Sequence, residues 1–297
     1  MCQSTRLTAD LPASKAWAEI ARVLKDAGVD SPVIDARLLV CHALGIDRVG
    51  LLRDPARPLD DAAGALAAMV TRRLAREPVS RIIGERAFWG RTFKISPATL
   101  DPRADSETLV AAALELAKPM QAARGSQPLR FLDLGTGTGC LLLTLLAELP
   151  GSLGTGVDIS PEALMVARTN AASLGLSERA QWVEGNWASG VRGPFDLIVS
   201  NPPYIRHGDL AGLAPEVVAY DPILALDGGQ DGLDAYRSIL SNLPELPPAG
   251  AVLFEVGQGQ ASEVLGLLSG AFAGPGNRVT HRWQDLSGID RAVGLAT

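Results

Sequence analysis

Asn201-Pro202-Pro203-Tyr204 closes the apolar run Leu197-Ile198-Val199, and these four residues have the types that a site for a flat amine requires. Two consecutive prolines remove two backbone N–H donors and fix two φ angles. The chain there is stiff and offers carbonyl acceptors beside one amide side chain, Asn201, and one aromatic face, Tyr204. Such acceptors take both hydrogens of an NH2 group while the ring covers its plane. Taken alone, the tetrapeptide is equally a proline turn that ends a strand.

A second pattern lies upstream. Phe131-Leu132-Asp133-Leu134 reads as a short buried strand and runs into Gly135-Thr136-Gly137-Thr138-Gly139, followed by an apolar helix from Cys140 to Leu149. Strand, glycine-rich turn and helix open a nucleotide-type site, because backbone there approaches a ligand closely. A further strand, Gly154 to Ile159, carries Asp158, placed to accept hydrogen bonds from ribose hydroxyls. Asp158 lies 19 residues beyond Gly139, which also suits a nicotinamide dinucleotide site. Hydride transfer has no use for a rigid amide clamp, so Asn201 to Tyr204 favours S-adenosylmethionine (SAM) with a planar nitrogen as methyl acceptor.

The elements that must position these residues alternate. From Asp105 onward we read a helix over 107–118, the strand to Leu134, the helix after the glycines and the strand to Ile159. A helix over 162–174, with Ser160 as N-cap and Pro161 at N1, leads to strands near 181–183 and 197–199. A helix from Leu233, a strand over 252–256, a helix from Gln260 and two late strands, 278–283 and 291–293, complete the pattern. Alternation of this kind implies an α/β fold with a mostly parallel sheet of seven strands, whose ligands sit beyond the strands' carboxyl ends. Residues 1–84 read as a small helical bundle, 85–104 as a β-hairpin linker and 105–297 as the cofactor-binding domain. In the bundle, Ser31-Pro32 opens a helix with Ile34, Leu38 and Cys41 expected on one face.

Composition bounds the function. Of 297 residues, 47% are hydrophobic and 20% charged, as in ordinary globular proteins. No apolar run reaches the length of a membrane span, and Met1-Cys2-Gln3 does not begin as a signal peptide does. Three scattered cysteines, Cys2, Cys41 and Cys140, lack metal-ligand spacing and suit a reduced cytoplasmic protein without metal. Up to Gly90 the chain has 13 basic and 11 acidic residues, and beyond it 14 and 22. That acidic second part argues against an enzyme that tracks phosphates. Arg72, Arg73, Arg76, Arg81, Arg86 and Arg91 form a local basic stretch, read as a solvated helix face or, alternatively, a docking surface.

On these residues the chain resembles the protein-glutamine N5-methyltransferases of peptide chain release factors, the PrmC or HemK group. The likeness runs from Asp35-Ala36-Arg37-Leu38-Leu39 through Glu77-Pro78-Val79, Phe88-Trp89 and Ser96-Pro97-Ala98-Thr99-Leu100 to Asp105-Ser106-Glu107. It continues in Asp133 to Gly139, Val199 to Ile205, and Asp227-Gly228-Gly229 with Asp231-Gly232-Leu233. The chain departs from the group at Asp101 (usually aliphatic), Ala104 (proline), Ser106 (threonine) and in its C-terminal Ala292-Val293-Gly294-Leu295.

The resemblance implies a class I SAM-dependent, Rossmann-like methyltransferase with an N-terminal bundle that docks substrate. The implied reaction methylates the glutamine of the Gly-Gly-Gln motif of release factors, with no direct need for nucleic acid or membrane, by an enzyme expected to be a monomer. Catalysis falls to Asn201, Pro202 and Tyr204, and substrate binding to these with Pro203. Gly135, Thr136, Gly137, Thr138, Gly139, Asp158, Trp187 and Asn201 would hold the cofactor, with Trp187 on the adenine. Asp133 either meets the cofactor's ammonium group or orders the turn, and Arg103 and Glu107 either fix the hairpin or touch substrate. A ribosomal-protein glutamine methyltransferase and a nucleic-acid adenine-N6 methyltransferase share the tetrapeptide and stand as alternatives. Gly228-Gly229-Gln230 spells the acceptor tripeptide itself, a coincidence that the cofactor-binding core outweighs.

Overall fold

A computed structural model describes residues 7–243, 250–272 and 278–296; Cys2 and the Met1-Cys2-Gln3 start lie outside them. The chain forms two compact units, one of residues 1–84 with 214–220 and one of 85–213 with 221–297.

The first unit is helical, with helices Ala13–Asp26, Pro32–Leu44, Arg48–Arg53, Ala62–Leu74, Val79–Ile83 and Pro215–Tyr220. Ala13, Ala16, Ile20 and Leu24 pack with Ala36, Leu39 and Val40 in its core. Ile34 and Leu38 are exposed, at 51% and 40%, and of the expected trio Cys41 alone is buried. Helix Pro32–Leu44 is apolar nearly all round, so periodicity does not choose its inward face; packing does. Ser31 precedes this helix without a capping hydrogen bond. Asp47 does cap the next one, its Oδ1 accepting from the Gly50 amide at 2.7 Å.

The basic stretch is not a solvated face. Arg73 is buried and pairs with Asp35 at 2.7 Å and Glu216 at 3.3 Å, while Arg72 pairs with Glu77 at 2.5 Å. Arg76 reaches Glu216 at 3.4 Å and donates to the carbonyls of Ala27 and Gly28. Arg86 and Arg91, in the second unit, meet Asp101 at 3.6 Å and Glu148 at 2.9 Å. The arginines at 72, 73, 76, 86 and 91 hold the fold's own carboxylates.

The second unit opens with an antiparallel hairpin, β1 (Glu85–Phe88) and β2 (Arg91–Lys94). Trp89 and Gly90 turn it, both with positive φ, at 49° and 69°, the backbone that a two-residue hairpin turn needs. Glu107 fixes this turn, its Oε1 accepting from the Trp89 amide at 2.8 Å. The main sheet contains β3 (Arg130–Leu134), β4 (Leu153–Asp158), β5 (Ala180–Glu184), β6 (Leu197–Ser200), β7 (Ala251–Glu255), β8 (Val279–Gln284) and β9 (Asp290–Ala296). Their order is β5-β4-β3-β6-β7-β9-β8; the first five run parallel, and β9 and β8 join antiparallel.

Alternating strand residues divide between two apolar layers. Phe131, Leu197, Val199 and Leu253 pack under helices Glu107–Arg124 and Cys140–Glu148. Leu132, Leu134, Ile198, Val252 and Phe254 face helices Asp234–Leu240 and Ala261–Ala271. Both faces are thus covered, which is why the central strands are apolar throughout. Helix Glu107–Arg124 runs past the expected end at Lys118, through Pro119. A proline forfeits one backbone rung, but Leu114, Ala117 and Met120 anchor the helix on either side of it.

The departures from the family pattern are accommodated locally. Asp101 is buried, with Arg86 opposite its carboxylate. Leu295 lies in β9 between Val252 and Thr280.

Candidate active site

The chain leaves β3 toward β4 and β5 on one side and later builds β6 and β7 on the other, so the strand order reverses between β3 and β6. A crevice opens at such a switch point. Leu134 and Ser200, the last residues of these two strands, are register partners, and Ser200 Oγ donates to the Leu134 carbonyl at 2.6 Å. The glycine turn and the proline corner therefore start side by side, although more than 60 residues separate them in the chain.

A cavity of about 560 Å³ lies there, the size of a nucleotide-type site. Gly135, Thr136, Gly137, Thr138, Asp158, Trp187, Asn201 and Pro203 all line it. Gly135 and Gly137 have φ of +71° and +55°, a backbone that side chains resist. A Cβ on Gly135 would lie 3.2 Å from the Trp187 ring. Asp158 closes the turn, its Oδ2 accepting from the Gly137 amide at 2.8 Å and its Oδ1 from the Ser160 amide at 3.0 Å. Ser160 Oγ in turn caps helix Pro161–Ser173 through the Ala163 amide.

Three expected site residues sit behind this surface. Gly139 does not line the cavity: a Cβ there would lie 2.9 Å from Trp182 and 3.3 Å from Ala167. It serves close packing of helix on strand. Pro202 is buried, and the Tyr204 ring packs near Gly257, whose Cβ would come within 3.0 Å of it. Neither lines the cavity. Gln260 Nε2 donates to the Tyr204 carbonyl at 3.0 Å, and Gly228 packs closely against Pro203 and Tyr204. The corner is thus held by both contacts.

Sequence reasoning overlooked several residues that shape the site. Gln260 is one. Asp227 and Asp234 line the cavity, and Asp227 Oδ2 lies 2.7 Å from His207 Nδ1. Glu255, buried at the carboxyl end of β7, meets Ser106 and Asn201. Its signal was legible: an acid that ends an otherwise apolar strand. Arg103 lines the cavity and pairs with Asp221 at 2.5 Å, not with the hairpin.

The electrostatics favour a cationic, hydroxyl-bearing occupant. Asp158, Asp227 and Asp234 face the cavity against one cation, Arg103. Asp133 is fully buried and accepts from Thr136 Oγ1 at 2.6 Å, but its Oδ1 has no partner among the described residues. Burial pushes its carboxyl up to about 7. Burial likewise pushes the Cys140 thiol up to about 12 and keeps the Tyr204 phenol neutral. Neither is a nucleophile at neutral pH. No group of acids, histidines and cysteines among the described residues is arranged to hold a metal ion.

Residues 15–84 match the family model of the PrmC N-terminal domain, and residues 111–219 match that of the methyltransferase small domain. A release factor glutamine methyltransferase of Rhodospirillum rubrum is 52% identical over 82% of this chain and 74% of its own length. The chain belongs to the release factor glutamine methyltransferase family. A second member, from Bradyrhizobium diazoefficiens, is 47% identical over 92% of this chain and 91% of its own. Among solved structures, the hMettl16 catalytic domain in complex with MAT2A 3'UTR hairpin 6 aligns over 78% of this chain and 81% of its own. Its TM-score is 0.53 at 15% identity, a likeness of fold alone.

Proposed function

We infer that this protein transfers a methyl group from SAM to the side-chain amide nitrogen of glutamine in the Gly-Gly-Gln motif of release factors. One observation carries the reading beyond family membership: Asn201 and Pro203 line the same cavity as the glycine turn, Asp158 and Trp187. Gly135 and Gly137 leave room for the methionine part, Asp158 keeps lone pairs for ribose hydroxyls, and Trp187 offers a face to the adenine. Bound there, SAM supplies an activated methyl group on a sulfonium.

An amide nitrogen is a poor nucleophile because its lone pair is shared with the carbonyl; that conjugation underlies a rotational barrier of ~18–20 kcal/mol. Asn201 Oδ1 and a backbone carbonyl of the corner that faces the cavity accept the two N–H hydrogens and turn the lone pair toward the methyl carbon. Both bonds strengthen as positive charge grows on the nitrogen, which is what lowers a barrier. Pro202 and Tyr204 contribute from behind, holding the corner rigid, and alignment of this kind is worth up to ~7–11 kcal/mol. The cavity's three carboxylates and single arginine disfavour a polyphosphate substrate. The first unit would dock the release factor.

Among the described residues no helix is long and apolar enough to cross a membrane, and the reading carries with it a cytoplasmic monomer. A release factor incubated with labelled SAM should acquire label on one glutamine, and none once that glutamine is replaced. Label passing instead to a ribosomal protein or to DNA would overturn the assignment. Asn201→Ala should abolish transfer while SAM affinity, measured by calorimetry, stays within a few-fold; full activity would end this mechanism.

A further inference from the structure

Asn201 serves this reaction only if its amide turns oxygen, not nitrogen, toward the substrate. The two ends of a carboxamide are nearly the same shape, so packing does not choose between them. Charge does, and the surroundings of Asn201 are built for it. Asn201 Nδ2 donates to Ser106 Oγ at 3.1 Å. Ser106 and Asn201 lie beside the Glu255 carboxylate and stabilise its charge. Ser106 takes one Asn201 amide hydrogen, and the negative charge of Glu255 attracts the other, which leaves Oδ1 over. Glu255 is 2% exposed, and its Oε2 has no partner among the described residues. Its backbone is fixed, its carbonyl accepting from the Tyr236 hydroxyl at 2.7 Å. A buried acid at the end of an apolar strand costs free energy, and among the described residues Glu255 forms no ion pair within 4 Å.

We propose that Glu255 is a positioning residue: as a carboxylate, and through Ser106, it holds the Asn201 amide with Oδ1 facing the substrate nitrogen. The proposal rests on the glutamine-methylation reading. In the reversed orientation Oδ1 would face a carboxylate that has no proton to give. Protonated Glu255 can donate to Oδ1, so the reversed amide becomes acceptable and presents N–H to a nitrogen that needs an acceptor. The acid form therefore unlocks the clamp.

The groups facing Glu255 set where this happens. Burial pushes its carboxyl up to about 7; Ser106 and Asn201, as donors, pull it down, and so does Arg291 on β9, while Asp105 raises it. Arg291 is shared with Asp105 at 2.8 Å and Asp285 at 2.9 Å. Tyr204, Tyr236 and Cys140 also face it; all three are held neutral by burial, and Glu255 adds to that.

Two readouts test the proposal. The wild-type kcat for release factor methylation should fall on the acid side with a midpoint near 7. Glu255→Gln should lower kcat about tenfold, leave SAM affinity within twofold and abolish that acid limb. Independently of any acceptor, the side-chain NH2 resonances of Asn201, assigned by their loss in Asn201→Ala, should titrate near pH 7 in the wild type and stay flat in Glu255→Gln. Wild-type kcat with an unchanged acid limb in Glu255→Gln, or Asn201 resonances that do not move between pH 5 and 9, would overturn it. Should the wild type methylate no glutamine, the functional reading fails, and the resonances still decide the clamp.

Discussion

Gly228→Ala tests whether the segment after the proline corner is its rear support. Gly228 does not have a positive φ, so an added methyl costs only volume. That methyl would lie 2.8 Å from the Pro203 carbonyl oxygen, 2.9 Å from Tyr204 Cα and 2.9 Å from Gly232 Cα, where ordinary contact begins at 3.4 Å. All three are backbone atoms, so no side chain can swing aside, and the corner must retreat by about 0.6 Å. Overpacking of this kind costs ~1–3 kcal/mol. At ~2–4 °C per kcal/mol for a unit of roughly 200 residues, Tm should fall by about 2–12 °C. A 1 Å misplacement of reacting groups costs about 100-fold in rate, so kcat should drop roughly tenfold. Gly266→Ala is the control: it lies in helix Ala261–Ala271 with nothing within 4 Å of its Cβ, and alanine there should stabilise by up to ~1 kcal/mol. Scanning fluorimetry and single-turnover methylation read both quantities. A Gly228→Ala protein with wild-type Tm and kcat would refute the bracing argument.

Two further outcomes follow from buried charge. Asp133 has a folded-state value of about 7, against about 4 for an unfolded aspartate. The native state thus holds this proton more tightly, and the group's contribution to stability falls as pH rises from about 4 to 7 and is level above. Asp133→Asn should remove that slope in denaturant titrations at a series of pH values; an unchanged slope would contradict the burial argument. Arg73→Ala removes the cation that Asp35 and Glu216 share, leaving Asp35 without its partner and Glu216 with Arg76 alone. Their side chains are only 14% and 20% exposed, so the loss should be about 3 kcal/mol. A urea midpoint shift worth under about 1 kcal/mol would show that water reaches the pair.

Much of the site was legible because its signals are local. Glycine runs, paired prolines and an acid at a strand end each act on backbone within a few residues, and Gly135, Asp158, Trp187 and Asn201 all line one cavity. The hairpin turn at Trp89-Gly90 and the cap at Ser160 are local in the same sense. Errors arose where neighbours in space choose among locally equal options. Ile34 and Leu38 and the buried Leu39 and Val40 suit helical periodicity equally, and contact with helix Ala13–Asp26 decides which pair is covered. Tyr204 was expected over the substrate amide, but the glycine at 257 gives its ring a place to pack behind the corner.

The amino-acid sequence by itself determined the alternation of strands and helices, the glycine turn and the stiff corner, since φ restrictions and apolar spacing are written residue by residue. Tertiary structure alone decided the partners: Arg73 with Asp35 and Glu216, Glu107 with the Trp89 amide, and Glu255 with Ser106 and Asn201. Such pairings join residues apart in the chain: the Arg73 cluster depends on helix packing within the first unit, and the Glu255 cluster on the placement of β6 beside β7. Charge complementarity states that partners are needed; only tertiary packing brings particular ones together.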